Sequence, residues 1–231
     1  MTKIQLDSSL TWTVPDFKIG IIHYTKIIVG ESPQMIKGRT RLYQENLFLD
    51  LQDVPVTDRA GIREWRQLWK TFGADANRYR HSTENLMRRI AKENYLEPDH
   101  SAVDLNNFFS LQYEIPVGLY DAAKIDGDIT VALGDDRIGY EGLNGRYTHL
   151  KNIPYSADNS GPFGSPYVDS VRTAVTENTT EALQIFYLRP SLQEAACRQL
   201  LESAGKMFMQ IHGGDYTIQL LNAEEPQVII E

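Results

Sequence analysis

The chain has 231 residues, 42% of them hydrophobic, a single cysteine and a formal net charge of −8. That length buries a sizeable core, while the lone Cys197 excludes an internal disulfide and suits a reducing, cytoplasmic setting. No apolar run approaches the roughly 18 residues of a membrane span, the opening MTKIQLDSSLTWTV lacks the apolar stretch of a secretory signal, and the overall acidity argues against broad nucleic-acid binding.

In chain order, FKIGIIHYTKIIVG (17–30) is long, apolar and β-branched, and reads as a strand. VTDRAGIREWRQLWKTFGA (56–74) reads as a helix capped by Thr57 or Asp58. Its Ile62, Trp65, Leu68, Trp69 and Phe72 recur at helical spacing as a core-facing stripe, with Arg59, Arg63 and Arg66 mostly opposite. STENLMRRIAKEN (82–94) is a second helix, starting at Ser82, Thr83 and Asn85 and facing inward through Leu86, Met87 and Ile90. DLNNFFSLQYE (104–114) is a third, capped by Asp104 and closed before Pro116.

DITVAL (128–133) opens a region of short strands divided by GDD, NG and DNSGPFGSP turns, the last being the best candidate for a covering loop. QIFYLR (184–189) and YTIQLL (216–221) are further strands. Between them SLQEAACRQLLESAGKMFMQIHGG (191–214) is a fourth helix, ending before Gly213, in which Cys197 reads as a small buried residue. Helices and strands do not alternate regularly, so the expected class is α+β. No linker divides the chain. It is expected to form one compact domain over 1–231, with an N-terminal part to about 75, a core over 76–187 and a C-terminal helix and strand from 188.

Several chemistries have no motif here. The histidines at 23, 81, 100, 149 and 212 are scattered, and no CxxC or HExxH predicts a metal site. No GxSxG elbow is present, and GYEGLNG (139–145) is a turn between strands, neither a P-loop nor a dinucleotide turn.

Charge is unevenly distributed. Thr57–Lys92 holds nine Arg or Lys against four Asp or Glu, a local +5 that leaves −13 on the rest. Arg78, Arg80, Arg88, Arg89 and Lys92 crowd into ANRYRHSTENLMRRIAKEN (76–94). This is either a solvated helix face or the footprint of an anionic partner. In the third helix Asn106 and Ser110 share a face four residues apart, suited either to local capping bonds or to binding.

Four segments taken together, RYRHSTENLMRRI, VDLNNFFSLQYEIPVGLYDAAKIDGDITV, YEGLNG and DSVRTAVTENTTEAL, carry a resemblance. In order and spacing they are similar to the editing module (the B3/B4 domain) of the bacterial phenylalanyl-tRNA synthetase beta chain, and closer to that family's free-standing members, over about residues 76–187. The resemblance implies mixed α and β layers around a pocket. It also implies hydrolysis of the ester joining a wrong amino acid to tRNA, with no metal or cofactor. Asn106 matches the threonine and Asn107 the asparagine of a Thr-Asn pair at that pocket, and both are carried over as the catalytic candidates. Gly142 and Gly145 match a glycine loop, and Thr179 a threonine closing a Glu-Thr pair.

Ser110, Tyr120, Asp169, Arg172 and Thr173 complete the expected pocket. Arg172 reads either as a holder of phosphate or substrate oxygen or as a strand-edge cation paired to Asp169. Asp104 and Asp121 read as general bases or, more simply, as cap and turn residues. There are two departures from the family: Gly118 stands where the family has histidine, and Val171 lies near the place of a glutamate that reads a tyrosine hydroxyl. Asp169 and Glu141 are acids that would suit a cationic side chain instead.

The implied partner is the acceptor end of aminoacylated tRNA, with Arg78 and Arg80 bordering the pocket and Arg88, Arg89 and Lys92 steering the backbone. The implied function is a trans-acting deacylase in the cytoplasm, alone or as a homo-oligomer. Its alternatives are a non-catalytic tRNA-binding or synthetase-associated module, and a small-molecule or amino-acid-binding protein with no RNA partner.

Overall fold

The structure, a computed structural model, describes residues 1–230. The chain begins with strand β1 (Thr2–Leu6), helix α1 (Ser8–Thr13) and strand β2 (Lys18–Thr25). Four helices follow: α2 (Gln34–Asp53), α3 (Ala60–Phe72), α4 (Ser82–Ile90) and α5 (Ser101–Tyr113). Six short strands come next: β3 (Val117–Asp121), β4 (Ile129–Leu133), β5 (Gly139–Glu141), β6 (Tyr147–His149), β7 (Pro154–Asp158) and β8 (Gly161–Gly164). The chain closes with β9 (Glu181–Leu188), α6 (Glu194–His212), β10 (Asp215–Leu221) and β11 (Gln227–Ile230). The class is α+β, as expected.

A five-stranded sheet has the order β11-β1-β4-β7-β8, a four-stranded sheet the order β10-β2-β9-β3, and β5-β6 form a hairpin. Among the described residues only β1 and β4 pair in parallel. Alternation along the four-stranded sheet explains the layering. Ile19, Ile21, Tyr120, Leu183, Ile185 and Tyr187 share a core with Ile4, Leu6, Val131 and Phe163 of the five-stranded sheet and with Trp65, Trp69 and Phe72 of α3. The opposite face, through Ile22, Tyr24, Val117, Leu119, Phe186 and Leu188, packs on Leu105, Phe108 and Phe109 of α5 and Leu201, Ala204 and Phe208 of α6. Each such apolar side chain contributes about 1.5–3 kcal/mol on burial. A third cluster joins α2, α3, α4 and α5 through Leu47, Leu51, Ile62, Met87, Ile90 and Leu111.

The α3 stripe is buried as read, and α3 ends at Gly73 with φ of 88°, a left-handed cap. Other expectations need correction. α2, twenty residues long, and the strands β1, β3 and β11 were not foreseen. Thr57 and Asp58 belong to a short 3-10 turn, and Arg59 precedes α3. α4 is capped by His81, whose ring accepts Glu84 N–H. α5 starts at Ser101, so Asp104 lies in its first turn; it accepts Ser32 Oγ at 2.5 Å and Asp99 N–H at 3.0 Å. DNSGPFGSP is largely the β7–β8 hairpin. β1 and β2 are internal strands of the two sheets, so the N-terminal segment forms part of both frameworks. No helix among the described residues is long and apolar enough to cross a membrane.

Candidate functional site

The cation-rich segment is organised by one acid. The Glu84 side chain is 0% exposed and accepts Arg66 Nη1 at 3.0 Å and Arg88 Nε at 2.9 Å, with Arg80 Nε 4.0 Å away. A buried carboxylate needs such partners, and here it bolts α4 to α3. Arg80, Arg88, Arg89 and Lys92 line one groove of 820 Å³ with Pro55, Thr57, Asn85 and Asn94. Arg78 lies outside that lining and stacks over the Tyr79 ring at 5.1 Å. His81 is fully buried, and desolvation together with the Arg66 charge pulls its pKa down to about 3, so it is a neutral cap.

The same segment is tied to the rest of the family-like motifs. Ser82 N–H donates to Pro166 O at 2.8 Å, and the Tyr79 and Tyr167 rings meet edge to face at 5.5 Å. Thr83 and Ser110 hydroxyls share a hydrogen bond of 2.9 Å, and Ser110 Oγ donates to Ile115 O at 2.9 Å. Ser110 therefore fixes the turn from α5 into β3.

Beside β3 runs the ribbon 169–175. Asp121 N–H donates to Thr173 O, Tyr120 bridges Ala174, and Gly142 bridges Ser170. Leu143 N–H donates to Asp169 O and Val171 N–H to Glu141 O. The ribbon thus joins β3 to the glycine hairpin. Gly145 takes φ of 72° there, and its N–H donates to Gly142 O while Gly142 N–H donates to Arg146 O. This is a tight turn closed by a left-handed glycine. The N–H groups of Gly142, Leu143 and Gly145 are thereby all engaged within the chain.

At the centre, Tyr120 lies back over its own strand. A Cβ on Gly118 would stand 2.0 Å from the Tyr120 hydroxyl, and one on Gly164 would stand 2.1 Å from it. That hydroxyl donates to Asp169 Oδ1 at 2.8 Å, and Ser165 N–H approaches the same oxygen at 3.4 Å. Burial raises the Asp169 pKa to about 7 despite these donors. Tyr140 donates to Ser165 Oγ at 2.9 Å, and Tyr187 shares a hydrogen bond with Ser156 at 3.1 Å.

Arg172 does not pair with Asp169. Its guanidinium forks onto Asp158 at 2.9 and 2.8 Å and reaches Gly161 O at 3.0 Å, because Asp158 sits on the adjacent hairpin. Thr173 is buried, and its hydroxyl finds no partner among the described residues. Thr179 Oγ1 donates to Asp121 Oδ2 at 2.8 Å, holding the segment before β9 onto the end of β3.

The two asparagines part company. Asn106 Nδ2 donates to Val117 O at 3.0 Å, and its Oδ1 accepts Gln184 Nε2 at 2.8 Å, so it ties α5 to β3 and β9. Asn107 lines a cleft of 20 Å³ between α2 and α5 with Thr40, Gln44 and Asp104, room for about one water. Among the described residues no three His, Cys, Asp or Glu side chains gather as a metal site.

Sequence reasoning missed the Glu84 clamp, although its i,i+4 spacing to Arg88 was a readable signal. It also missed Gly164 and Tyr140, which enter only through tertiary packing.

A family model described as B3/4 domain matches residues 64–203. The chain is 35% identical over 219 residues to a Bacillus subtilis (strain 168) protein titled "Uncharacterized protein YhzB", covering 94% of this chain and 99% of that one. It is 28% identical over 156 residues to the phenylalanine–tRNA ligase beta subunit of Paramagnetospirillum magneticum, covering 57% of this chain and 20% of the subunit. It is 31% identical over 104 residues to the same subunit of Nitrobacter winogradskyi, covering 44% of this chain and 13% of the subunit. The chain thus spans a fifth or less of those subunits. Among solved structures, an N-terminal fragment of the phenylalanyl-tRNA synthetase beta subunit from Pyrococcus horikoshii aligns with a TM-score of 0.44 and 13% identity, over 92% of this chain and 49% of the fragment.

Proposed function

The chain belongs to the B3/4 domain family, and from that premise we propose that it is a trans-acting editing deacylase, hydrolysing the ester of mischarged aminoacyl-tRNA. One observation carries the reading. The segment that builds the cationic groove, Arg80 to Lys92, also donates from Ser82 N–H to the loop that holds Asp169 against Tyr120. The same helix is tied through Thr83 to Ser110 of α5, the helix that carries Asn107, at 2.9 Å.

The reaction needs little covalent machinery. Water attacks the ester carbonyl carbon, the carbonyl electrons move onto oxygen, and collapse breaks the bond to the ribose oxygen, which takes the proton the water gives up. Positioning and donors to the oxyanion supply the acceleration. The Asn107 amide is the donor proposed for catalysis. Asn106, with both ends of its amide engaged, is proposed as a positioning residue for β3. Asp169, buried against Tyr120 on the face of the four-stranded sheet away from α5, is proposed to position the 165–169 loop rather than to share a substrate with Asn107.

The test is purified protein with a panel of tRNAs bearing aromatic, aliphatic and cationic amino acids, followed by loss of the ester. At least one pair should be hydrolysed well above the spontaneous rate; an unchanged ester lifetime across the panel would sink the proposal. A second reading, a tRNA-binding module without activity, is favoured by Gly118 at the family histidine position, where the Tyr120 hydroxyl occupies the space a side chain would need. Asn107→Ala separates the two: RNA affinity is kept under both readings, and turnover falls only if the protein is an enzyme.

A further inference from the structure

A second groove, of 610 Å³, lies on the other side of the 55–60 turn and is lined by Thr57, Arg63, Glu64, Arg66, Lys70 and Arg189. Thr57 lines both grooves. We infer that the two form one continuous track for the phosphate backbone of RNA, with Arg63, Lys70 and Arg189 contacting phosphates beyond those reached from α4. The inference rests on the deacylase reading for the identity of the RNA, and it adds three residues outside that reading's own set.

Three observations support it. First, the cations divide by their partners. Arg66 and Arg88 are held by Glu84, and Arg66 also donates to Ala76 O at 3.1 Å and Asn77 Oδ1 at 2.7 Å. These two are structural. Among the described residues, none of the ion pairs includes Arg63, Lys70, Arg89, Lys92 or Arg189, so five cations along the track lack a counter-charge. Second, Arg189 Nε is buried with no hydrogen-bond partner. An orphaned donor of this kind is expensive, and a phosphate bound to the Arg189 guanidinium in the second groove would offset that cost. Glu64, the one acid lining the second groove, does not do so, because its two oxygens accept Ser191 N–H at 2.8 Å and Ser191 Oγ at 2.7 Å. Asp58 and Glu93 sit near the turns but line neither groove.

Third, the geometry is linear. Arg63, Arg66 and Lys70 recur every three or four residues along about 10 Å of α3, and Glu84 locks this row to the row on α4. A row of charges in two open, adjoining grooves fits a repeating anion better than one isolated phosphate.

The experiment is fluorescence anisotropy with uncharged tRNA at salt from about 50 to 200 mM. Wild type is compared with Arg63→Ala/Lys70→Ala and with Arg89→Ala/Lys92→Ala, pairs of exposed residues whose loss leaves the fold intact. Removing two phosphate contacts lowers the salt slope by about 1.4–1.8, so the fall in affinity across that range should shrink about ten-fold for the α3 pair. Arg189→Ala should lower the slope further and Arg189→Lys should restore part of it. If the α3 pair parallels wild type while the α4 pair shifts, the continuous track is wrong and the deacylase reading stands. If neither pair changes the slope, or no salt-dependent binding exists, the track fails, while the deacylase reading is decided separately by the ester lifetimes.

Discussion

Asp169, His81 and His212 are buried groups whose protonation must trade against solvation, and they pull stability in opposite directions with pH. Burial holds Asp169 near 7 against the ordinary 3.8, so the folded protein keeps a proton that the unfolded chain releases between those values. Stability from this group therefore falls as pH rises through that window. Asp169→Asn preserves an acceptor for the Tyr120 hydroxyl and removes the charge. It should raise the melting temperature more at pH 8 than at pH 5; an equal shift at both would contradict the assignment. His81 runs the other way. Its folded pKa of about 3 lies below the usual 6.5, so stability is lost as pH falls from 6.5 toward 3, and each unit is worth about 1.4 kcal/mol. His212, lowered by burial to about 4, adds to the same loss. His81→Asn keeps a helix-capping acceptor and cannot be protonated in this range. Its urea midpoint should decline less steeply than wild type between pH 6.5 and 4. Gly118 makes a steric prediction. With the Tyr120 hydroxyl 2.0 Å from its would-be Cβ, Gly118→Ala should destabilise by about 1–3 kcal/mol in chemical denaturation.

At the scale of elements, α4 is held to α3 by a carboxylate that no water reaches. Glu84→Gln should leave Arg66 and Arg88 without their counter-charge and lower stability by about 3–5 kcal/mol, while a change below 1 kcal/mol would show the clamp to be dispensable. α3 was legible in the sequence because its burial follows its hydrophobic period: Ile62, Trp65, Leu68, Trp69 and Phe72 all face inward. α2 was not, because its burial breaks that rule. Met35, Leu42 and Leu49 are exposed, while Gln44 is buried, bonded through its amide to Leu96 N–H and O. β3 escaped notice as five residues containing a glycine directly after a helix-ending Pro116, and β9 and β2 supply the context that makes it a strand. At the candidate site, the motifs named which segments meet, through Ser82–Pro166, Thr83–Ser110 and Gly142–Ser170. They did not name which polar groups are already committed. The choice of Asp158 over Asp169 by Arg172, and the engagement of Asn106 by Val117 and Gln184, depend on strand register that spacing alone does not encode.

Across the whole molecule, an acidic chain concentrates a local excess of cations where α3, α4 and the 55–60 turn meet, and groups the family motifs around β3. The remainder carries −13, which disfavours polyanions there and favours their approach to the cationic region. The link between the two regions is short: Ser82 to Pro166, then Ser165 to Asp169. The activity proposed for this arrangement is the removal of wrong amino acids from tRNA. The most direct measurement is the lifetime of the ester bond in a panel of mischarged tRNAs with and without the protein. A deacylase would accelerate hydrolysis of at least one pair, and Asn107→Ala would abolish that acceleration while RNA binding persists. Ester lifetimes indistinguishable from the protein-free controls for every pair would contradict it.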